Sequence, residues 1–145
     1  MWVKICGVRD VAEALDVAAA APDAIGLNFY PKSKRYVSPE IAAAICAELP
    51  TEIERVGVFV DHLPDEIAAL ARKLKLTRVQ LHGDYDLEAA ATLQEFRPVW
   101  VHRMLDADLT SLQKLFCTAH EKGIRFSACL IDAAVPGQLG GSGQT

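Results

Sequence analysis

The sequence has no CxxC pair. Its four cysteines stand at 6, 46, 117 and 129, too dispersed for a zinc knuckle or a thioredoxin-like redox centre. No two of its four histidines share helical metal-ligand spacing, so no metal is expected. No apolar run approaches the roughly 18–20 residues that span a bilayer, so no membrane is expected. Lys4, Arg9 and Asp10 interrupt the N-terminus at once, which argues against a signal peptide. Basic residues are in the minority, 15 Lys and Arg against 19 Asp and Glu, and the net charge is −4. That is the reverse of a nucleic-acid footprint. Gly and Pro number only 9 and 7, too few for a collagenous or low-complexity chain.

What is present is a globular composition. Hydrophobic residues make up 51% and charged residues 23% of 145 residues, enough for one domain with a buried core. An acidic chain of this kind is expected in the cytoplasm, with reduced thiols. Cys46, Cys117 and Cys129 fall in apolar segments and read as buried core thiols.

Short β-rich runs alternate with alanine-rich helical stretches. Strands are predicted at Trp2–Cys6, Ala24–Phe29, Glu54–Val60, Thr77–Leu81, Pro98–Val101 and Phe126–Ile131. Helices are predicted at Val11–Ala21, Pro39–Glu48, Pro64–Leu74, Asp86–Phe96 and Leu109–Glu121. Asp10 and Ser38 are natural N-caps, Pro39 suits a first helical position, and Gly123 ends the last helix. Strand starts recur about every 25 residues, the period of a βα unit with right-handed crossovers and a parallel sheet.

Two α/β folds accommodate this pattern. An open, doubly wound sheet of five or six strands suits the length. A (βα)₈ TIM barrel needs eight units, roughly 200 residues at this period, and the chain would cover about six of them. The distribution of polar residues favours the barrel. Cys6, Arg35, Asp61, His82, His102 with Arg103, and Asp132 follow successive strands. In a barrel every strand's C-terminal end faces one site; in an open sheet only the switch point does.

Cys6 ends the first strand beside Gly7 and close to a helix N-terminus, a setting that favours a thiolate. Asp132 ends the apolar run Ala128–Ile131, where partial desolvation favours the neutral acid. The loop Tyr30–Tyr36 carries Lys32, Lys34 and Arg35, and an arginine fork suits a carboxylate. Gln80 and His82 close the fourth strand. His102 and His120 look ordinary. The glycine-rich stretch Pro136–Gly143 matches neither a Walker loop nor GxGxxG.

Taken in order, these stretches are recognisable. They are Val3–Gly7 (VKICG), Gly26–Pro39 (GLNFYPKSKRYVSP), Val56–Val60 (VGVFV), Val79–Gly83 (VQLHG), and Ile131–Asp132 leading to Pro136–Gly143 (PGQLGGSG). The chain resembles the phosphoribosylanthranilate isomerase family of tryptophan biosynthesis across its whole length. The resemblance implies a (βα)₈ barrel and one domain over residues 1–145. It also implies that this chain lacks the last two βα units, which in the family hold the substrate's phosphate. An incomplete sequence, a fragment, or a chain completed by another subunit would each explain that. The implied reaction is the Amadori rearrangement of N-(5-phosphoribosyl)anthranilate, with no cofactor, in a monomer or homodimer acting on a small phosphosugar. By motif position, Cys6 is implied as general base and Asp132 as general acid. Arg35 is implied to hold the anthranilate carboxylate, with Gln80 and His82 near the substrate.

Three rivals stand beside this reading. The related histidine-pathway isomerase uses an Asp where this chain has Cys6. A Cys–His hydrolase could use Cys6 and His82. An inactive fragment could keep the motifs by descent.

Overall fold

The computed structural model of the chain describes residues 1–104 and 108–133. Its elements alternate as β1 (Lys4–Cys6), α1 (Val11–Ala19), β2 (Ala24–Asn28), α2 (Pro39–Glu48), β3 (Glu54–Val60), α3 (Pro64–Leu74), β4 (Arg78–His82), α4 (Leu87–Thr92), β5 (Val99–Met104), α5 (Thr110–Glu121) and β6 (Ala128–Ala133). The glycine-rich stretch Pro136–Gly143 lies outside the described residues.

All five strand pairings are parallel, and the sheet order is β1-β2-β3-β4-β5-β6. A doubly wound sheet reverses its strand order at the switch point. No reversal occurs among the described strands. The chain winds one way throughout, which is the winding of a (βα)₈ barrel wall.

The caps act as their chemistry requires. Asp10 accepts the Glu13 backbone N–H at 2.8 Å, and Ser38 accepts that of Ile41 at 3.3 Å. Gly123, at φ +70°, follows α5 in the left-handed region that glycine adopts freely. The helix expected over Asp86–Phe96 is shorter. It ends at Thr92, continues as a 3₁₀ turn over Gln94–Phe96, and is stopped by Arg97 at φ +48°.

Two apolar layers flank the sheet. On one face Ile25, Leu27, Phe59, Val79, Leu81 and Trp100 pack against helix residues such as Ile45, Ile67, Ala71 and Leu93. On the other, Val56, Val58, Val60, Val99 and Val101 are buried among the strands themselves. Helices therefore cover only the first face, as in a barrel's outer layer. Cys46 and Cys129 are half-buried, and burial pushes both thiols up. Cys117, expected in the core, is exposed instead. It sits on α5 two residues before the buried Ala119, so it faces away from the sheet.

At the N-terminal ends of the strands, Glu54 receives Arg78 through two hydrogen bonds of 2.6 and 3.0 Å. Arg97 adds a third at 3.0 Å. These side chains tie strands together at the end remote from Cys6 and Asp132, where barrel residues serve stability.

Candidate active site

Strand register and the period-two alternation of side chains decide which residues share a face. Cys6 pairs with Gly26. Two residues on, Asn28 pairs with Val58, and Val58 with Gln80. His82 lies two residues beyond Gln80 and pairs with Val60. Gln80 also pairs with Val99, four residues before Arg103, and Arg103 pairs with Asp132. Cys6, Gln80, His82, Arg103 and Asp132 thus all project from the face without helices. Four of these five lie within the last two residues of their strands. Partner rows climb from strand to strand, the stagger a closing barrel requires.

His102 has the opposite parity. Its ring Nε2 lies 3.3 Å from Ser111 Oγ on α5, away from this face. Two strands run a few residues past their expected ends, for a physical reason. β5 runs on to Met104 and β6 to Ala133, past the expected limits at Val101 and Ile131. His82, Arg103 and Asp132 are strand residues whose side chains face the site, so the apolar signal fades before the strand does. Arg103, expected with His102 after the fifth strand, is instead a residue within β5 and the register partner of Asp132.

Cys6 is exposed at the end of β1, and the Lys4 ammonium donates a hydrogen bond to its sulfur at 2.6 Å. Gly26 makes room for the pair: a Cβ there would overlap Cys6 Sγ and approach Lys4 Nζ to 3.2 Å.

The loop after β2 is folded back by Asn28. Its Oδ1 accepts the Tyr30 N–H at 2.9 Å, its Nδ2 donates to Ser33 Oγ at 3.1 Å, and its carbonyl accepts the Val37 N–H at 2.9 Å. Ser33 Oγ in turn accepts the Arg35 N–H at 3.1 Å. The exposed Arg35 stem is thereby laid against Gly7, at φ +101°, where a Cβ would lie 2.7 Å from Arg35 Cδ. Of the three loop cations, Arg35 is thus brought beside the residue that follows Cys6.

Across the sheet, His82 Nε2 lies 3.5 Å from Asp132 Oδ2. Neither atom makes a hydrogen bond there, and both are buried, although the Asp132 side chain keeps 29% of its surface exposed. At that distance the two are in electrostatic contact without a formed hydrogen bond. Gln80 Oε1 is a third buried polar atom without a hydrogen-bond partner among the described residues. Buried polar atoms are nearly always satisfied, so three on one face mark a place where a polar ligand belongs.

Burial pushes the His82 imidazole below its ordinary value of 6.5, Asp132 pulls it up, Arg103 pushes it down and Asp61 pulls it up, with burial prevailing. The ring is therefore neutral at pH 7. The unfolded chain then binds the extra proton more readily, so stability is full above about pH 6.5 and falls as pH drops below it. His82→Gln should remove that part of the acid sensitivity, measured as the urea midpoint between pH 7 and 5. Asp132→Asn should move the His82 NMR titration lower still.

Asp61 serves the loops. At φ +54° it follows β3, and its Oδ1 accepts the Asp84 N–H at 3.0 Å. Gly83, at φ +123°, is needed there because a Cβ would overlap that same oxygen. Tyr85 donates no less to order, since its hydroxyl oxygen accepts the His62 N–H at 2.9 Å; burial pushes its phenol up to about 12. These loops line a cavity of about 560 Å³ that includes neither Cys6 nor Asp132. Among the described residues no group of three His, Cys, Asp or Glu is placed to hold a metal ion. No described helix is long and apolar enough to cross a membrane.

Fold and site together define a one-way-wound (βα)-barrel wall. A thiol and a carboxylate stand on its inner face, at the strand ends where barrel enzymes do their chemistry. The family model of N-(5'-phosphoribosyl)anthranilate isomerase matches residues 3–145. The isomerase of that name from Chlorobium phaeobacteroides is 38% identical over 144 residues, 99% of this chain and 65% of that protein. The crystal structure of phosphoribosyl anthranilate isomerase from Thermotoga maritima superposes with a TM-score of 0.79 at 32% identity, covering 99% of this chain and 67% of that one. A second, in complex with reduced 1-(o-carboxyphenylamino)-1-deoxyribulose 5-phosphate, gives 0.78 at 33% identity over 92% and 66%. The chain belongs to the N-(5'-phosphoribosyl)anthranilate isomerase family, and it spans 65–66% of the length of curated relatives to which it is 38% identical.

Proposed function

We propose that this chain carries the acid–base machinery for rearranging N-(5'-phosphoribosyl)anthranilate to 1-(o-carboxyphenylamino)-1-deoxyribulose 5-phosphate. The observation that carries the reading is the shared face of Cys6, His82 and Asp132 at the C-terminal strand ends, with Arg35 folded over Gly7 beside it.

Asp132 is the general acid. It protonates the furanose ring oxygen as the C1–O bond breaks, and the anilino nitrogen supplies electrons to form an iminium. Cys6 is the general base. The iminium makes the C2 proton acidic, the Cys6 thiolate takes it, and the C2–H electron pair passes into the enolamine. Tautomerisation of the enolamine to the ketone completes an internal redox exchange in which C1 is reduced and C2 oxidised. No external oxidant enters the balance. His82 keeps the carboxyl oriented and Gln80 offers its amide to the sugar hydroxyls, both by hydrogen bonds made when substrate is bound. A thiol rather than a carboxylate at position 6 favours this reaction over the related histidine-pathway one.

Arg35 takes the anthranilate carboxylate. A charge-assisted pair of this kind contributes about 1.5–3 kcal/mol. Arg35→Ala is therefore expected to raise KM by about 10–100-fold while kcat changes little, because the carboxylate does not change charge along the reaction. Steady-state kinetics with N-(5'-phosphoribosyl)anthranilate test this; an unchanged KM removes the clamp.

A further inference from the structure

Lys4 is absent from the roles given above, yet its ammonium is placed on the sulfur of Cys6. The two residues alternate along β1, so they share the inner face. The Lys4 side chain is half-buried, and its partner among the described residues is Cys6 Sγ at 2.6 Å. A carboxylate is available in the same register row, since Lys4 pairs with Ala24 and Ala24 with Glu54. Glu54 is taken by Arg78 and Arg97. The ammonium therefore reaches up the strand rather than across it. Gly26 holds the arrangement open, because a Cβ at that position would meet both Sγ and Nζ.

We infer that Lys4 is the positioning residue for Cys6. Its ammonium donates a hydrogen bond to the sulfur, keeps the thiolate on the inner face, and supplies the positive charge that balances it. A hydrogen bond from an ammonium to a sulfur anion is charge-assisted and stronger than one from a neutral donor. When the thiolate takes the C2 proton and becomes neutral, Lys4 keeps its own protons and stays where it is. Lys4, from its own strand, donates to this sulfur, and the next cation along the site, Arg35, has its stem against the neighbouring Gly7. The β2 residue paired with Cys6 is Gly26, which brings no charge.

The catalytic meaning of this role rests on the reading of Cys6 as the base, but its test does not need substrate. The full chain is alkylated with iodoacetate, which is anionic, and with iodoacetamide, which is neutral. In each case the sulfur displaces iodide. Site-resolved rates come from mass spectrometry of the Cys6 peptide, with exposed Cys117 in the same molecule as the internal control.

In the wild type, the iodoacetate-to-iodoacetamide rate ratio should be higher at Cys6 than at Cys117. Lys4→Met should lower the Cys6 ratio by about tenfold, and Lys4→Arg should keep most of it, while Cys117 is unchanged. A purely structural lysine would not give this charge-selective rescue. Equal ratios at Cys6 and Cys117 in the wild type would overturn the inference even if Lys4→Met failed to fold. An unchanged ratio in a folded Lys4→Met chain would overturn it too. If the pairing holds but Cys6→Ala leaves turnover intact, the failure lies with Cys6 as base and not with Lys4.

Discussion

Cys6→Ala is expected to lower kcat by roughly 10²–10⁴-fold, the usual contribution of a positioned general base. The size follows from what alanine cannot do. The iminium intermediate makes its C2 proton acidic, but water reaching this face has neither the basicity of a thiolate nor its fixed position. KM should change little, because a general base acts on the transferred proton in the transition state rather than on ground-state binding. The substitution is small and at an exposed position, so the fold should be retained. Cys6→Ser is a sharper version, because it keeps the shape and a hydrogen-bonding atom while replacing the nucleophilic sulfur with a far weaker base. Both variants are read by steady-state kinetics beside a circular dichroism spectrum. A kcat within about threefold of wild type in either would remove Cys6 from the base role.

Asp132→Asn should produce a loss of the same order, roughly 10²–10⁴-fold in kcat, for a different step. The amide has the carboxyl's shape but cannot deliver a proton to the ring oxygen, so ring opening stalls before an iminium forms. The two losses should not multiply in full. Once ring opening is blocked, the base has nothing to act on, and residues acting in one sequence give non-additive losses. The double variant should therefore be little slower than the slower single variant. Asp132→Asn also removes the carboxylate facing His82 and Arg103, so a stability change is expected beside the kinetic one. Comparing urea midpoints separates the two effects.

The βα alternation was legible in the repeated apolar pattern, which suits a doubly wound sheet as well; the one-way winding was signalled by the polar groups that follow successive strands and by the family resemblance, and α2, β3 and α3 fall where their apolar runs place them. The termini of β5 and β6 were less legible. Near a barrel's mouth inward positions turn polar, and a strand whose inner residues are Arg103 and Asp132 no longer alternates with apolar ones. The parity that puts Arg103 inward and His102 outward follows only from register, which no single segment contains. Cys117 lies outside the core because the apolar run of α5 continues past its packing face: Leu115 meets the core and Phe116 meets Phe126, while Cys117 is one step further round the helix. Lys4 went unnoticed because a lone lysine in a short strand has no signal of its own. Its meaning appears when the i, i+2 spacing to Cys6 is joined to a glycine at position 26 on the neighbouring strand.

The most direct measurement is turnover of N-(5'-phosphoribosyl)anthranilate by the purified chain, wild type beside the Cys6→Ala/Asp132→Asn double variant. Conversion that depends on both side chains, falling by at least roughly 10²-fold in the folded double variant, is the expected result. Conversion at the same rate without them, or no conversion by the folded wild type, would contradict an isomerase site on the inner face of these six strands.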